Sequence, residues 1–167
     1  MKRLFLALPA ILDDYDVIQK DFAEVISGRW VASESLHMTL SFFGDRFEKE
    51  ELVEKLSGLK LEMTPSKMRG LGYFKKSRIL YATVENPALE TVCKSVNMFF
   101  DIPVKETFLA HVTLMRIKKV VDAKEFYHQL HVYRDRPLGS LGSKAELMQS
   151  ELHPDGARYT LIKRFQE

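Results

Sequence analysis

The sequence predicts an α+β fold built from two pseudo-symmetric lobes. Three observations carry that expectation. The order strand–helix–strand–helix occurs twice, beginning once at Lys2 and again at Arg78. The second strand of each set carries the same tripeptide pattern, His37-Met38-Thr39 and His111-Val112-Thr113. The repeat is also longer than solenoid periods, which favours a pair of lobes over an array.

Each element has a local reason. Lys2–Leu8 is apolar enough for a buried first strand, with Pro9 expected to open a helix. Lys2 and Arg3 before the apolar run to Leu12 mimic a targeting signal, but Pro9 and Asp13-Asp14 break the pattern. Ile11, Tyr15, Ile18, Phe22 and Val25–Ile26 then recur at steps of three and four, one face of a helix that Ser27-Gly28 would stop. Leu36–Phe43 reads as a strand closed by Gly44, and Glu48–Ser57 as a charged helix with Leu52 and Leu56 inward. Lys67–Phe74 and Arg78–Val84 form a predicted hairpin around Lys75-Lys76-Ser77. Asn86-Pro87 starts a helix that carries Leu89, Cys93 and Val96 on its apolar side. A strand over Leu109–Ile117 follows, then a helix capped by Asp122 and bearing Phe126 and Leu130. Lys144–Leu152 and Arg158–Phe165 close the chain as a hairpin about Pro154-Asp155-Gly156. With no Gly/Ser/Pro-rich linker, residues 1–167 read as one domain of repeat units 2–60 and 78–135 completed by the hairpin 144–165.

Composition excludes several classes of function. The 167 residues hold 25 Lys+Arg against 23 Asp+Glu, a net charge of +2 that cannot bind nucleic acid by bulk attraction, so an anionic partner needs a local patch. One cysteine, Cys93, permits no internal disulfide, which fits a cytoplasmic protein and excludes Cys-rich zinc modules. No apolar run reaches the roughly 20 residues of a membrane span, so no membrane partner is expected.

In a strand successive side chains alternate between faces, so His37 and Thr39 project together, as do His111 and Thr113. If the lobes pack about a pseudo-two-fold, two imidazoles and two hydroxyls converge on one cleft. Imidazoles with an ordinary pKa of about 6.5 can divide acid and base roles near neutral pH. Thr hydroxyls can donate to phosphate oxygens and stabilise developing charge. A strained cyclic phosphodiester suits such a set, and with no carboxylate motif beside either histidine, neither metal nor cofactor is expected.

These motifs and their surroundings resemble the 2H phosphoesterase superfamily, and within it the RNA 2′,3′-cyclic phosphodiesterases, also called 2′-5′ RNA ligase-like proteins. The resemblance spans Arg3–Leu8, Trp30-Val31, Leu36–Gly44, His111–Arg116 and Ser150-Glu151-Leu152 through Gly156, Arg158 and Tyr159. Ala110 stands where a Pro is common before the second motif, and Ser35 where an Asn is common before the first. The resemblance implies antiparallel-type sheets with flanking helices around a central cleft, and opening of RNA 2′,3′-cyclic phosphate ends to 2′-phosphate. It implies that His37 protonates the departing O3′, that His111 activates water, and that Thr39, Thr113 and Arg116 hold the phosphate. The symmetry of the motifs leaves the acid and base roles open on sequence alone. Strict alternation from His111 puts Arg116 on the opposite face, and a bulge or strand end after Leu114 would reconcile the two. The same site could serve a 2′-5′ RNA ligase or a 2′,5′-phosphodiesterase, or could grip RNA ends without turnover. A monomer is expected.

Lys67, Arg69, Lys75, Lys76 and Arg78 around Tyr73 and Phe74 form either a single-strand track or a solvated hairpin. Alternation sends Phe42 to the core. His128 and His131 lack a third ligand and read as surface residues. Cys93 reads as a buried, inert thiol.

Overall fold

In the computed structural model, which describes residues 2–61, 63–104 and 108–165, the chain runs β1 (Lys2–Leu12), α1 (Tyr15–Phe22), β2 (Ile26–Trp30), a short 3-10 turn (Ser33–Ser35), β3 (His37–Gly44) and α2 (Lys49–Ser57). It continues through β4 (Ser66–Phe74), β5 (Ile79–Glu85), α3 (Ala88–Phe99), β6 (His111–Val120), α4 (Ala123–Val132), β7 (Pro137–Leu141), β8 (Glu146–His153) and β9 (Gly156–Arg164). All strand pairs are antiparallel, and they form two sheets that share β1. One sheet has the order β3-β1-β8-β9; the other runs β2-β6-β5-β4-β7 and ends on the last residues of β1.

The two halves interlock, so each lobe takes elements from both. β1 pairs with β3 of its own half and with β8 from the end of the chain, while β5 pairs with β6 of its own half and with β4 from the first half. The helices cross over in the same way. On α1, the Tyr15 hydroxyl donates to the Val31 and Leu114 carbonyls at 2.7 and 3.3 Å, which ties the helix to the β6 sheet. On α3, Asn97 accepts from the Ser41 hydroxyl of β3 at 2.6 Å. This exchange joins the two halves of the chain through both sheets.

The core follows the apolar pattern. Leu6 and Leu8 of β1, Leu52 and Leu56 of α2, Leu89 of α3, Leu114 of β6 and Phe126 of α4 are fully buried, each worth roughly 1.5–3 kcal/mol of transfer free energy. Two expected caps form: Asn86 Oδ1 accepts from the Ala88 N–H at 3.1 Å, and Asp122 Oδ1 from the Glu125 N–H at 3.1 Å.

Two strands, β2 and β7, have no counterpart in the sequence reading, and Pro9 and Gly28 fall differently from it. Pro9 does not open a helix; β1 continues to Leu12 and α1 begins at Tyr15. Pro9 falls where β1 passes from one sheet to the other: pairing with β8 ends at Ala7, and pairing with β7 begins at Ala10. A residue without an N–H is tolerated at such a break in the ladder. Likewise α1 ends at Phe22, and Gly28 lies inside β2 rather than after a helix. A Cβ at Gly28 would stand 2.3 Å from the Arg116 carbonyl, so glycine there permits the close approach of β2 to β6.

Candidate active site

His37 and His111 are the first residues of β3 and β6. Each imidazole is fixed by its own chain two residues upstream. His37 Nδ1 lies 2.7 Å from the Ser35 carbonyl, and His111 Nδ1 lies 2.8 Å from the Leu109 carbonyl. A carbonyl only accepts, so Nδ1 carries the proton and donates in both rings, leaving Nε2 as the basic nitrogen. Each ring also rests against a Phe and a Tyr. His37 packs on Phe5 at 5.0 Å and Tyr159 at 5.6 Å, and His111 on Phe74 at 5.1 Å and Tyr81 at 5.7 Å between ring centres. These four aromatics come from β1, β9, β4 and β5, so the sequence alone did not join them to the histidines.

The two strands share a second device. In β6, Tyr81 pairs with Thr113 and Leu80 with Met115, which leaves Leu114 as an extra residue. In β3, Ala7 pairs with Thr39 and Leu6 with Ser41, which leaves Leu40 extra. A bulge flips the face of everything beyond it. Leu114-Met115 and Leu40-Ser41 are accordingly consecutive buried pairs, after which Arg116 and Phe42 emerge. Arg116 thus joins the face of His111 and Thr113, as the resemblance requires and strict alternation denies. Phe42 is corrected by the same reasoning: it is 51% exposed and lines the cleft.

The bulge in β6 is held from outside. The Leu114 carbonyl accepts from the Val31 N–H at 2.7 Å and from the Tyr15 hydroxyl at 3.3 Å. Burial pushes the Tyr15 phenol up to about 12, so it remains a donor.

His37, Thr39, Phe42, Thr113 and Arg116 line a cleft of about 1010 Å³ between the two sheets, together with Phe5, Trp30 and Tyr159. His111 lines an adjoining cavity of about 410 Å³, and Thr39 and Phe42 form the wall common to both. Burial holds the His37 imidazole below its ordinary pKa; the hydrogen bond to Ser35 opposes that shift, and the charge of His111 adds to it. Burial raises the Tyr159 phenol, and the Arg116 guanidinium partly opposes that shift.

Of the remaining candidates, Phe74 and Cys93 line the adjoining cavity with His111, and the others line neither pocket. Tyr73 packs on Phe126 at 5.1 Å, and Arg69 pairs with Glu85 at 3.1 Å. His128 and His131 are exposed on α4, and among the described residues no cluster of three potential metal ligands occurs. Cys93 is buried, which pushes its thiol up to about 12. No helix among the described residues is long and apolar enough to cross a membrane.

An α+β fold with paired His-x-Thr strands that meet at two adjoining pockets defines a phosphoesterase of the two-histidine class. The LigT like Phosphoesterase family model matches residues 8–81. An RNA 2′,3′-cyclic phosphodiesterase of Aquifex aeolicus is 32% identical, over 96% of this chain and 93% of the relative. One from Methanocaldococcus jannaschii is 27% identical, over 98% and 99%. A crystal structure from Thermus thermophilus superposes with a TM-score of 0.69 at 25% identity, covering 98% of this chain and 96% of that one. A crystal structure of E. coli LigT complexed with phosphate shares the fold, with a TM-score of 0.68 at 22% identity and coverage of 98% and 96%. The chain belongs to the LigT-like branch of the 2H phosphoesterases, which are phosphoric diester hydrolases.

Proposed function

We propose that this enzyme opens 2′,3′-cyclic phosphates at RNA ends to 2′-phosphates, without a metal. The observation that carries the reading is the pair of imidazoles, each with Nδ1–H held by a main-chain carbonyl and Nε2 left for proton transfer. The shared names of the relatives support the substrate class.

Water attacks phosphorus while His111 Nε2 takes its proton. The bond between phosphorus and O3′ breaks, and protonated His37 Nε2 delivers a proton to O3′. Each turnover leaves a proton on His111 and removes one from His37, and exchange with solvent resets both. Two imidazoles thus supply both proton transfers, each worth about 10²–10⁴-fold. Thr39 and Thr113 donate to the equatorial oxygens, and Arg116 offsets the charge that grows there. Burial disfavours the protonated form of His37 in the free enzyme, whereas an anionic phosphate alongside favours it. Substrate therefore brings His37 into the state an acid needs. Phe42 offers an apolar face to the terminal base. One chain supplies both histidines, so a monomer is sufficient.

The test is incubation with nucleoside 2′,3′-cyclic phosphates in EDTA, with the product isomer assigned by NMR. The 2′-phosphate is expected at an undiminished rate. Absence of turnover, loss with EDTA, or a 3′-phosphate product would each overturn the reading.

A further inference from the structure

We infer that Asn97 of α3, on the wall of the cavity beside His111, is a specificity residue that reads the terminal base and favours uracil over adenine. The inference rests on the proposed hydrolase reading and extends it from the phosphate to the base attached to it.

The cavity suits such an occupant. Its volume of about 410 Å³ lies inside the range of about 300–1,000 Å³ for small-molecule sites. Met38, Leu40, Phe42, Ile102, Phe108 and Leu109 give it apolar walls. Thr39 and Phe42 line both this cavity and the larger cleft. A nucleotide whose phosphate meets Thr39 can therefore lay its base on the Phe42 ring and present an edge to the cavity. Unpaired RNA bases are recognised in this manner, by an aromatic face and hydrogen bonds to one edge.

The polar groups on these walls differ in what is left free. Thr39 and His111 belong to the phosphate site. Lys94 Nζ lies 3.2 Å from Glu90, one turn back on α3. Ser41 is buried, and its hydroxyl donates to Asn97 Oδ1 at 2.6 Å. With Oδ1 turned to Ser41, the amide keeps two N–H donors on Nδ2. Among the described residues, Nδ2 makes no hydrogen bond within the protein.

Asn97 is also held at its main chain. Asp101, just past α3, has a left-handed conformation with φ 54°, and the Ile102 N–H donates to the Asn97 carbonyl at 2.8 Å. That bond is the closure by which a helix ends on a left-handed residue. It fixes the backbone of Asn97 and brings Ile102 into the cavity wall, while Ser41 fixes the side chain. An amide pinned at both ends is pre-organised to discriminate.

Fixed donors in an apolar cavity select an acceptor. Uracil offers carbonyl oxygens, whereas adenine carries its N6 amine, a donor, where uracil carries O4. An asparagine that reads adenine uses its amide oxygen for N6, and here Ser41 holds that oxygen. Donor against donor leaves both groups unpaired, and such a mismatch discriminates more strongly than a lost apolar contact.

The test measures kcat/KM for uridine and adenosine 2′,3′-cyclic phosphates, and Kd for the two nucleoside 2′-phosphates by calorimetry. Wild type is compared with Asn97→Asp, Asn97→Ala and Ile102→Trp, with thermal unfolding followed in each. Wild type should favour uridine by about tenfold or more in both quantities. Asn97→Asp exchanges the donors for an acceptor of the same shape and should abolish that preference or turn it toward adenosine. Asn97→Ala should bring the ratio near one. Ile102→Trp narrows the cavity and should raise KM for both nucleotides. A merely structural role for Asn97 would lower both substrates together and leave their ratio unchanged. Equal treatment of the two bases by wild type, a preference for adenosine, an unchanged ratio in Asn97→Asp, or an unchanged KM in Ile102→Trp would each overturn the assignment. If wild type turns over neither nucleotide, the hydrolase reading fails instead, and the ratio of Kd values still decides the base site.

Discussion

β3 and β6 are built to one plan and differ at the position that follows the bulge. Both begin with a histidine anchored through Nδ1 to a carbonyl two residues back, both cradle that ring with a Phe and a Tyr, and both bulge at the leucine after the threonine. The residue that the bulge turns into the cleft is Phe42 in one and Arg116 in the other. The shared frame fixes where the imidazoles stand. The divergent position decides what each lobe offers beside its histidine, an apolar ring or a permanent cation. A symmetric scaffold thereby acquires a direction, which an asymmetric substrate such as an RNA end requires.

The most damaging change to either strand should be loss of its histidine. His37→Ala and His111→Ala are each expected to lower kcat by about 10²–10⁴, with thermal unfolding little changed. The double variant should be scarcely worse than either single one, because the two act as a unit. Additive losses would mean that the strands work independently.

Next comes the position at which they differ. Arg116→Ala should lower kcat/KM by about 10²-fold, the scale of a lost transition-state donor. Arg116→Lys should recover only part, since an ammonium lacks the planar fork of guanidinium. Full recovery would reduce Arg116 to a point charge.

A smaller effect is expected from the support of the β6 bulge. Tyr15→Phe removes the hydroxyl from the Val31 and Leu114 carbonyls and should cost about 1 kcal/mol of stability. If the bulge orients Arg116, Tyr15→Phe should lower kcat/KM a few-fold in wild type and not at all in Arg116→Ala, which a double-mutant cycle would read.

The smallest effect concerns burial of His37. Its folded pKa lies below that of the unfolded chain, about 6.5. In the window between the two the unfolded state binds more protons, so stability is full above about 6.5 and declines as pH falls through the folded value. His37→Gln should flatten that decline in urea titrations between pH 7 and pH 5; an unchanged decline would assign it to other groups.

How much of this was legible in the sequence follows from which signals are local. A period of two put each His beside its Thr, and Asn86 and Asp122 announced their helices by capping chemistry. The same period misplaced Phe42 and admitted Arg116 to the histidine's face only by way of a bulge after Leu114, because a bulge is a mismatch with a partner strand. Gly28 was a usable sign of close strand approach but sat beside an apolar helical run and was read as a helix stop. Pro9 suggested a helix start because its actual position, at the passage of β1 between sheets, depends on β7 and β8 more than a hundred residues away. The aromatic cradles are likewise long-range contacts, and so is the crossing of α1 and α3 between the lobes.

Under the proposed mechanism, equivalent frames hold histidines with unequal roles, His37 as acid and His111 as base. A phosphodiester with a p-nitrophenolate leaving group needs no proton on departure, so it separates those roles directly. His37→Ala should turn it over within about tenfold of wild type, while His111→Ala should still lose about 10²-fold or more. The reverse pattern, or equal loss in both variants, would contradict the assignment.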